Sequence, residues 1–540
     1  MWFRSKWLVL WSLWAARLAR LPTPALRVCG GWLRGSVAPA GSHMQYLGIP
    51  YATVQERFQA PGPAPTWDET FEAVNEHGKC LQTGFLGKGS TVGQDNCLIL
   101  NVYTPLDIPP SIYLPVMAFF HGGGFFEGSS TRFIYGPDYF IDKGVILVTI
   151  NYRLNVEGFL SLGIKEAPGN AGMKDQVAAL RWIQKNIQAF GGDPDNVSIF
   201  GESAGGASVS YHVLSPMSKG LFHKAIIQSG SSLASWSFQH DPIENALKKA
   251  RIVGYTGLSK DPHDLYTFFT SKTYSELLSE RVPRREGDVL ISQLLFTPCV
   301  EKVFDGVEPF LIESPFKILT EGRYNKVPMI IGANSNEGIF FGGIDKDLLK
   351  MKFEKSLPNN LDFPSIDEQK RTVHDVQRMY MGDDEISVET LPKLTKFLGE
   401  PFFNYPAAEE TSLIIKTNDK PVYHYLFDYE GWRNVPKFLA GRHFWKMEGA
   451  SHADDVLYLF SQIPSMFEDK MIQMMTTLWT NFAKYGNPTP AVTELLPVKW
   501  PAVKTDDQRA LMIAQQLSTG PIWEERLLFW KEVYAKYRRK

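Results

Sequence analysis

A series of short, wholly apolar runs constrains this chain more than any other feature: LPVMAFF (114–120), GVILVTI (144–150), VSIF (197–200), KAIIQSG (224–230), VPMIIGA (327–333) and PVYHYLF (421–427). Segments that are apolar at nearly every position, rather than every second one, read as strands buried on both faces. Between them, KDQVAALRWIQKNIQAF (174–190) repeats apolar residues three and four apart, the spacing of an amphipathic helix. Strands alternating with helices predict an α/β fold with a large, mostly parallel central sheet flanked by helices. The path from GVILVTI through that helix to VSIF suits a βαβ crossover. Residues 340–400 are more charged and irregular, with a surface helix expected over 367–380. They read as a helical insertion, either a solvated surface or a cap over a pocket. No internal repeat, low-complexity tract or Pro/Gly linker divides the chain, so one large domain is expected over 28–540.

Composition narrows the partners. With 56 basic against 58 acidic residues and a formal net charge of −2, the chain offers no electrostatic reason to expect nucleic acid or an anionic membrane surface. The first residues differ: MWFRSK followed by WLVLWSLWAA has the basic and apolar regions of a secretory signal, and the run is short for a membrane span. Residues 1–27 are therefore expected to be a targeting segment for secretion, with mitochondrial import as the alternative suggested by an Arg-rich, acid-free leader. The cysteines are Cys29, Cys80, Cys97 and Cys299, too few for a disulfide-built scaffold and without a CxxC or Cys/His cluster for zinc. Only Cys80 and Cys97 are close in sequence, and a bridge between them would fit an oxidising compartment. The sequon Asn196-Val197-Ser198 falls in a run expected to be buried and is read as unmodified.

The chemistry centres on NVSIFGESAGG (196–206), where Ser203 sits in a G-x-S-x-G pattern after a predicted strand and before AGGASVSYHVL (204–214), which can enter a helix. Such a turn holds a serine in a strained, exposed position, and the glycines admit neighbours that a Cβ would exclude. A serine hydroxyl needs a base, and the base an orienting acid, which in this arrangement follow in the order acid, histidine. Glu337 lies in GANSNEG (332–338) at the end of a predicted strand, though a surface-loop glutamate would look the same locally. Among the downstream histidines, His374 falls in a charged helix, His424 alternates within a strand, and His443 sits beside Phe444 and Trp445, where a packed loop histidine is expected. His452, in EGASHADDVLYLF (448–460), occupies a small-residue loop expected to lead into an apolar helix, where a solvent-reachable base belongs. FFHGGGFFEGSS (119–130) supplies three consecutive glycines after a strand, so the peptide N–H groups of this loop, with the N–H of Ala204, are a candidate oxyanion hole. The loop lacks the Lys-Ser/Thr of a phosphate loop and the spacing of a dinucleotide site. His121 is read as a packing residue.

Taken together, YLGIPYA (46–52), CLILNVYTP (97–105), HGGGF (121–125), NYRLNVEGFL (151–160), PGNAGMKDQ (168–176), FGGDPDNVSIFGESAGG (190–206), QSGS (228–231) and GASHADD (449–455) stand in the order found in type-B carboxylesterases, the family of the cholinesterases. From about residue 28 onward the chain resembles that family, and most closely the insect α-type carboxylesterases. The resemblance implies an α/β-hydrolase fold with helical insertions around an active-site gorge. It implies Ser203 as nucleophile, Glu337 as acid, His452 as base, and Gly123, Gly124 and Ala204 as oxyanion donors. It also implies a Cys80–Cys97 disulfide, Ser229 as a supporting serine near the histidine, and Trp236 and Phe296 near the acyl pocket, where core packing is the competing reading. There are departures. CLQTGFLGKGSTVGQDNC (80–97) has no tryptophan for a choline cage, which argues against acetylcholine. Asp95-Asn96 replaces the family's glutamate before the second cysteine, TVQERF replaces its proline-rich linker, and Glu202 stands where juvenile hormone esterases typically carry glutamine.

The expected function is that of a serine carboxylesterase working through an acyl-enzyme on hydrophobic small-molecule esters, with no cofactor and no metal. Detoxification of xenobiotic esters or clearance of semiochemical esters is the expected role. The competing readings are a lipase, sterol or hormone esterase, or a non-catalytic adhesion relative.

Overall fold

The apolar runs fold into the interior strands of an 11-stranded sheet. The computed structural model describes residues 21–76, 78–84, 91–109, 111–461 and 468–539. Its strands, in chain order, are β1 (Leu26–Val28), β2 (Gly31–Arg34), β3 (Ser36–Val37), β4 (Met44–Pro50), β5 (Phe71–Glu72), β6 (Ile99–Thr104), β7 (Leu114–Phe120), β8 (Ile146–Ile150), β9 (Gly192–Glu202), β10 (Lys224–Gln228), β11 (Met329–Asn334), β12 (Val422–Phe427), β13 (Arg509–Ile513) and β14 (Leu517–Pro521). The large sheet runs β14-β13-β12-β11-β10-β9-β7-β8-β6-β4-β3, and β1, β2 and β5 form a separate small one. Strands β8 through β13 pair in parallel, whereas β3, β4, β6 and β14 pair antiparallel at the two edges.

Alternate residues of one strand feed opposite cores. Val116, Ala118 and Phe120 of β7 join one hydrophobic cluster, Met117 and Phe119 the other. This is the two-residue strand period acting on a sheet covered on both sides. On one side lies the predicted helix, which starts earlier than expected, at Ala171, and tightens into a 3-10 turn over Ile187–Phe190. The aromatic residues of Asp469–Tyr485, including Trp479, fill the other cluster.

The strand order reverses at β7: β8 lies on one side of it and β9 on the other. Such a switch opens a crevice beyond the carboxyl ends of the two diverging strands, the usual ligand site of open α/β sheets. Here those ends are His121-Gly122-Gly123-Gly124 after β7 and Glu202-Ser203 after β9.

Several expectations shift in detail. The fold reaches back ahead of residue 28, since β1 pairs with β2 and the N–H of Val37 donates to the carbonyl of Leu21. The rest of the expected targeting segment lies outside the described residues. The helix expected near 367–380 spans Ile366–Met381 and is capped by the Ser365 hydroxyl. The apolar helix expected after His452 is only a 3-10 turn, Asp455–Tyr458, because Asp455 is held by Gln228, Tyr425 and Asn334 in the core. The Asn196 carboxamide accepts from Lys224 and is half-buried. Cys80 and Cys97 are joined as a disulfide, while Cys29 is exposed and Cys299 buried.

Candidate active site

Ser203 adopts φ 58°, ψ −123°, a left-handed conformation that non-glycine residues rarely take. Neighbouring backbone over-determines this turn. The Ser203 N–H donates to the Gln228 carbonyl at 2.9 Å, and its own carbonyl accepts from Ala207 at 2.8 Å. A Cβ on Gly201 would sit 2.5 Å from the carbonyl carbon of Gly205, and one on Gly206 2.5 Å from the Gln228 oxygen. A Cβ on Gly205 would collide with the carbonyl of Phe120 in β7. The glycines therefore bring β7, β9, β10 and the helix Ala204–Leu214 to backbone contact, and the serine is pushed out of the strand line.

Glu337 follows β11 and is fully buried. Its Oε1 accepts from the Asn334 N–H and the Ser229 hydroxyl, both at 2.6 Å, while its Oε2 lies 2.5 Å from His452 Nδ1. Both carboxylate oxygens are thereby aimed, and Ser229, itself at φ 47°, is part of that aim. The other imidazole nitrogen, Nε2, faces Glu202 Oε1 at 3.1 Å. Burial opposes a charge on His452, but Glu202 and Glu337 outweigh it and raise its pKa to about 9. Burial raises Glu202 to about 8; His452 pulls the other way, and Asp455 and Glu337 add to the rise. The two groups face each other across the site and titrate as a coupled pair.

Gly123 and Gly124 have φ 107° and 64°, so their peptides turn away from the strand line. Ala204 opens its helix, where an N–H lacks an intrahelical acceptor. Among the described residues, none of these three N–H groups has a backbone acceptor outside regular structure. Gly123 and Gly124 line one cavity of about 150 Å³ together with Ser203, His452 and Glu202, and Ala204 directly follows Ser203 at its edge. Its remaining wall is largely apolar: Trp236, Ile291, Leu294, Phe340, Phe341, Phe403 and Ala453, with Glu127 at the turn after the glycines.

Trp236 thus lines the cavity, held by its indole N–H on the Phe402 carbonyl at 2.9 Å and packed on Phe403. Phe296 is buried but does not line this cavity; it packs in the main core. His121 is buried, stacks on Tyr152 and is lowered to about 4 by burial. His424 is buried against Thr411, and His374 and His443 are exposed. The aromatic wall of Phe340, Phe341 and Phe403 was not singled out from sequence. Its signals were GIFF directly after Glu337 and EPFFN (400–404), where an irregular helical turn points the rings at His452. Of residues 340–400, only Phe340 and Phe341 reach the cavity, so this insertion does not roof it.

A sequence model of the carboxylesterase family matches residues 22–530. The chain is 34% identical over 502 residues to esterase FE4 of Myzus persicae, covering 88% of this chain and 87% of that one. It is 34% identical over 481 residues to a juvenile hormone esterase of Tribolium castaneum, covering 83% and 81%. Among solved structures it resembles juvenile hormone esterase from Manduca sexta with OTFP covalently attached, at TM-score 0.81 and 27% identity over 96% of this chain and 99% of that one. The chain belongs to the carboxylesterase family. It has the α/β-hydrolase fold and is a serine ester hydrolase.

Proposed function

We propose that Ser203, His452 and Glu337 form the catalytic triad of a carboxylesterase for neutral, hydrophobic small-molecule esters. The observation that carries this reading is the chain of contacts from Ser229 through Glu337 to His452, ending in the cavity that exposes Ser203. Glu337 accepts from Nδ1–H and so selects the tautomer whose Nε2 is a base. The Glu202 carboxylate facing that Nε2 favours the imidazolium, so the neutral, active imidazole is the form present above the raised pKa of His452. Substrate entry turns Nε2 to the Ser203 hydroxyl, a contact that tightens only when the site is filled. Ser203 Oγ attacks the ester carbonyl as His452 takes its proton, and the oxyanion settles on the N–H groups of Gly123, Gly124 and Ala204. His452 then returns the proton to the departing alcohol. Water, deprotonated by the same imidazole, releases the acid from the acyl-serine.

The cavity wall supports the substrate class. Phenyl, indole and aliphatic groups surround the reacting carbon, and the small volume favours short acyl groups. Clearance of xenobiotic or signalling esters fits such a site, and the juvenile hormone esterase relatives make a hormone ester the second candidate. The leader-like first residues and the Cys80–Cys97 disulfide support secretion. No helix among the described residues is long and apolar enough to cross a membrane. The test is a panel of p-nitrophenyl esters of graded acyl length with wild type and Ser203→Ala, together with covalent labelling by a fluorophosphonate. Turnover and labelling lost together in the variant are expected. A variant that keeps wild-type turnover sinks the assignment.

A further inference from the structure

Away from the cavity, the segment between β12 and His452 presents an unusual surface. Trp432 is 76% exposed, Leu439 70% and Trp445 46%. Their rings are ordered: Trp432 stacks on Phe438, and Phe438 meets Trp445 edge-on. Isolated exposed apolar residues need no explanation, but a contiguous aromatic and aliphatic patch does. The patch rests on a rigid base. Lys437 beneath it is buried and donates to Glu430 and to the carbonyls of Met447 and Gly449. Glu468 accepts the N–H groups of Trp432 and Arg433.

His443 and Lys446, on either side of Trp445 in the chain, line a second cavity of about 570 Å³ together with Lys393, Lys396 and Arg526, against a single acid, Glu448. Lys393 and Arg526 are balanced by Asp384 and Glu400. Lys446 and His443 have no ion-pair partner among the described residues, and Arg442 is exposed next to them. Asn336 also lines the cleft, with its Oδ1 buried and unpartnered. The chain's net charge of −2 gave no hint of this, because the basic residues are gathered locally.

We infer that the Trp432–Trp445 platform and its basic cleft form a docking surface for an anionic lipid bilayer. Indole and leucine side chains sit at the acyl boundary while lysine, arginine and histidine meet acidic headgroups, the division of labour of interfacial protein surfaces. Neither half alone selects this partner. An uncharged apolar face would suit another protein, and a bare basic cleft would suit any small anion. The surface is wired to the site, since Lys437 N–H and Ser451 N–H both reach Asp454, close to His452. Gly343, on the helix that carries Phe340 and Phe341, packs on the backbone of Ala440.

The experiment is flotation of the full-length protein with vesicles of phosphatidylcholine alone or mixed with phosphatidylserine, at low and high salt. Binding to the mixed vesicles that weakens with salt is expected. Arg442→Glu/Lys446→Glu should lower that partitioning by about tenfold or more. Trp432→Ser/Leu439→Ser should lower it similarly at both salt concentrations, and unchanged melting curves would show that both variants fold. Equal binding to neutral vesicles, no binding to either, or insensitivity to both variants would overturn the inference. So would a concentration-dependent dimer abolished by Trp432→Ser/Leu439→Ser, which would assign the patch to a second copy of the chain.

Discussion

Replacing Glu202 by glutamine tests the electrostatics of the site most directly. The carboxylate lies 3.1 Å from His452 Nε2, and both groups are buried. At that distance two unit charges interact by about 1 kcal/mol in water and about 5 kcal/mol at the effective dielectric of a protein site. Each 1.36 kcal/mol is about one pKa unit, so removing the charge should lower the pKa of His452 by at least about one unit from its raised value of about 9. The sign follows from the mechanism. Activity needs neutral His452 and is lost as pH falls through its pKa, so the variant should keep activity to lower pH. The wild-type acid limb should also be broader, because Glu202, raised to about 8, titrates in the same range as His452 and is coupled to it. In the variant one ionisation remains and the limb should sharpen. The assay is kcat/KM for a neutral p-nitrophenyl ester from pH 5 to 10. A limb that stays in place or moves to higher pH would refute the pairing of Glu202 with His452, whatever happens to the maximal rate.

Other outcomes follow from neighbouring groups. Ser229→Ala removes the hydroxyl that holds Glu337 Oε1 at 2.6 Å; a hydrogen bond to a charged group is worth about 1.5–3 kcal/mol, so kcat should fall by about ten- to a hundredfold with KM nearly unchanged. Equal changes in kcat and KM would argue against a positioning role. Burial raises Glu410 to about 7, while the hydroxyls of Ser210 and Ser231 that donate to it offset only part of that cost. Its folded pKa therefore exceeds its unfolded one, so its contribution to stability is greatest at low pH and is lost as pH rises from about 4.5 through about 7. Glu410→Gln should flatten that part of the Tm-against-pH curve, and an unchanged slope would count against a titrating carboxyl there.

What the sequence disclosed about this molecule depended on how local each cause is. Residues 114–120 were readable as a strand to the residue, since the run is wholly apolar, too short for a buried helix, and ends at the glycines after His121. The helix Ala204–Leu214 and the turn at Ser203 were legible because glycine at 201, 205 and 206 reports close backbone approach. Glu337 and His452 were only candidates on their local sequence. Their pairing depends on β11 and the 448–454 loop meeting in space, and it was resemblance to a known family that singled them out. Phe403 and Phe341 went unnoticed because a phenyl ring facing a cavity and one facing the core look alike in sequence. Phe296 shows the converse: an acyl-pocket position by resemblance, it packs in the core. The start of β9 at Gly192 lies ahead of the expected run 197–200: Gly192 pairs with Leu114, and the register then breaks until Val197 meets Val116.

The glycines that brace Ser203 also divide the molecule for anyone redesigning it. Side chains at Gly201, Gly205, Gly206 and Gly230 would run into the backbone of Phe120, Gln228 or Ser203 itself. Randomising those positions would fill a library with chains that cannot close the sheet. Phe340, Phe341, Phe403 and Leu294 line the cavity and lie outside every strand of the sheet. Phe340, Phe341 and Phe403 also pack on the His452 ring, so exchanging them reshapes the cavity and the seat of that imidazole together, whereas Leu294 touches the wall alone.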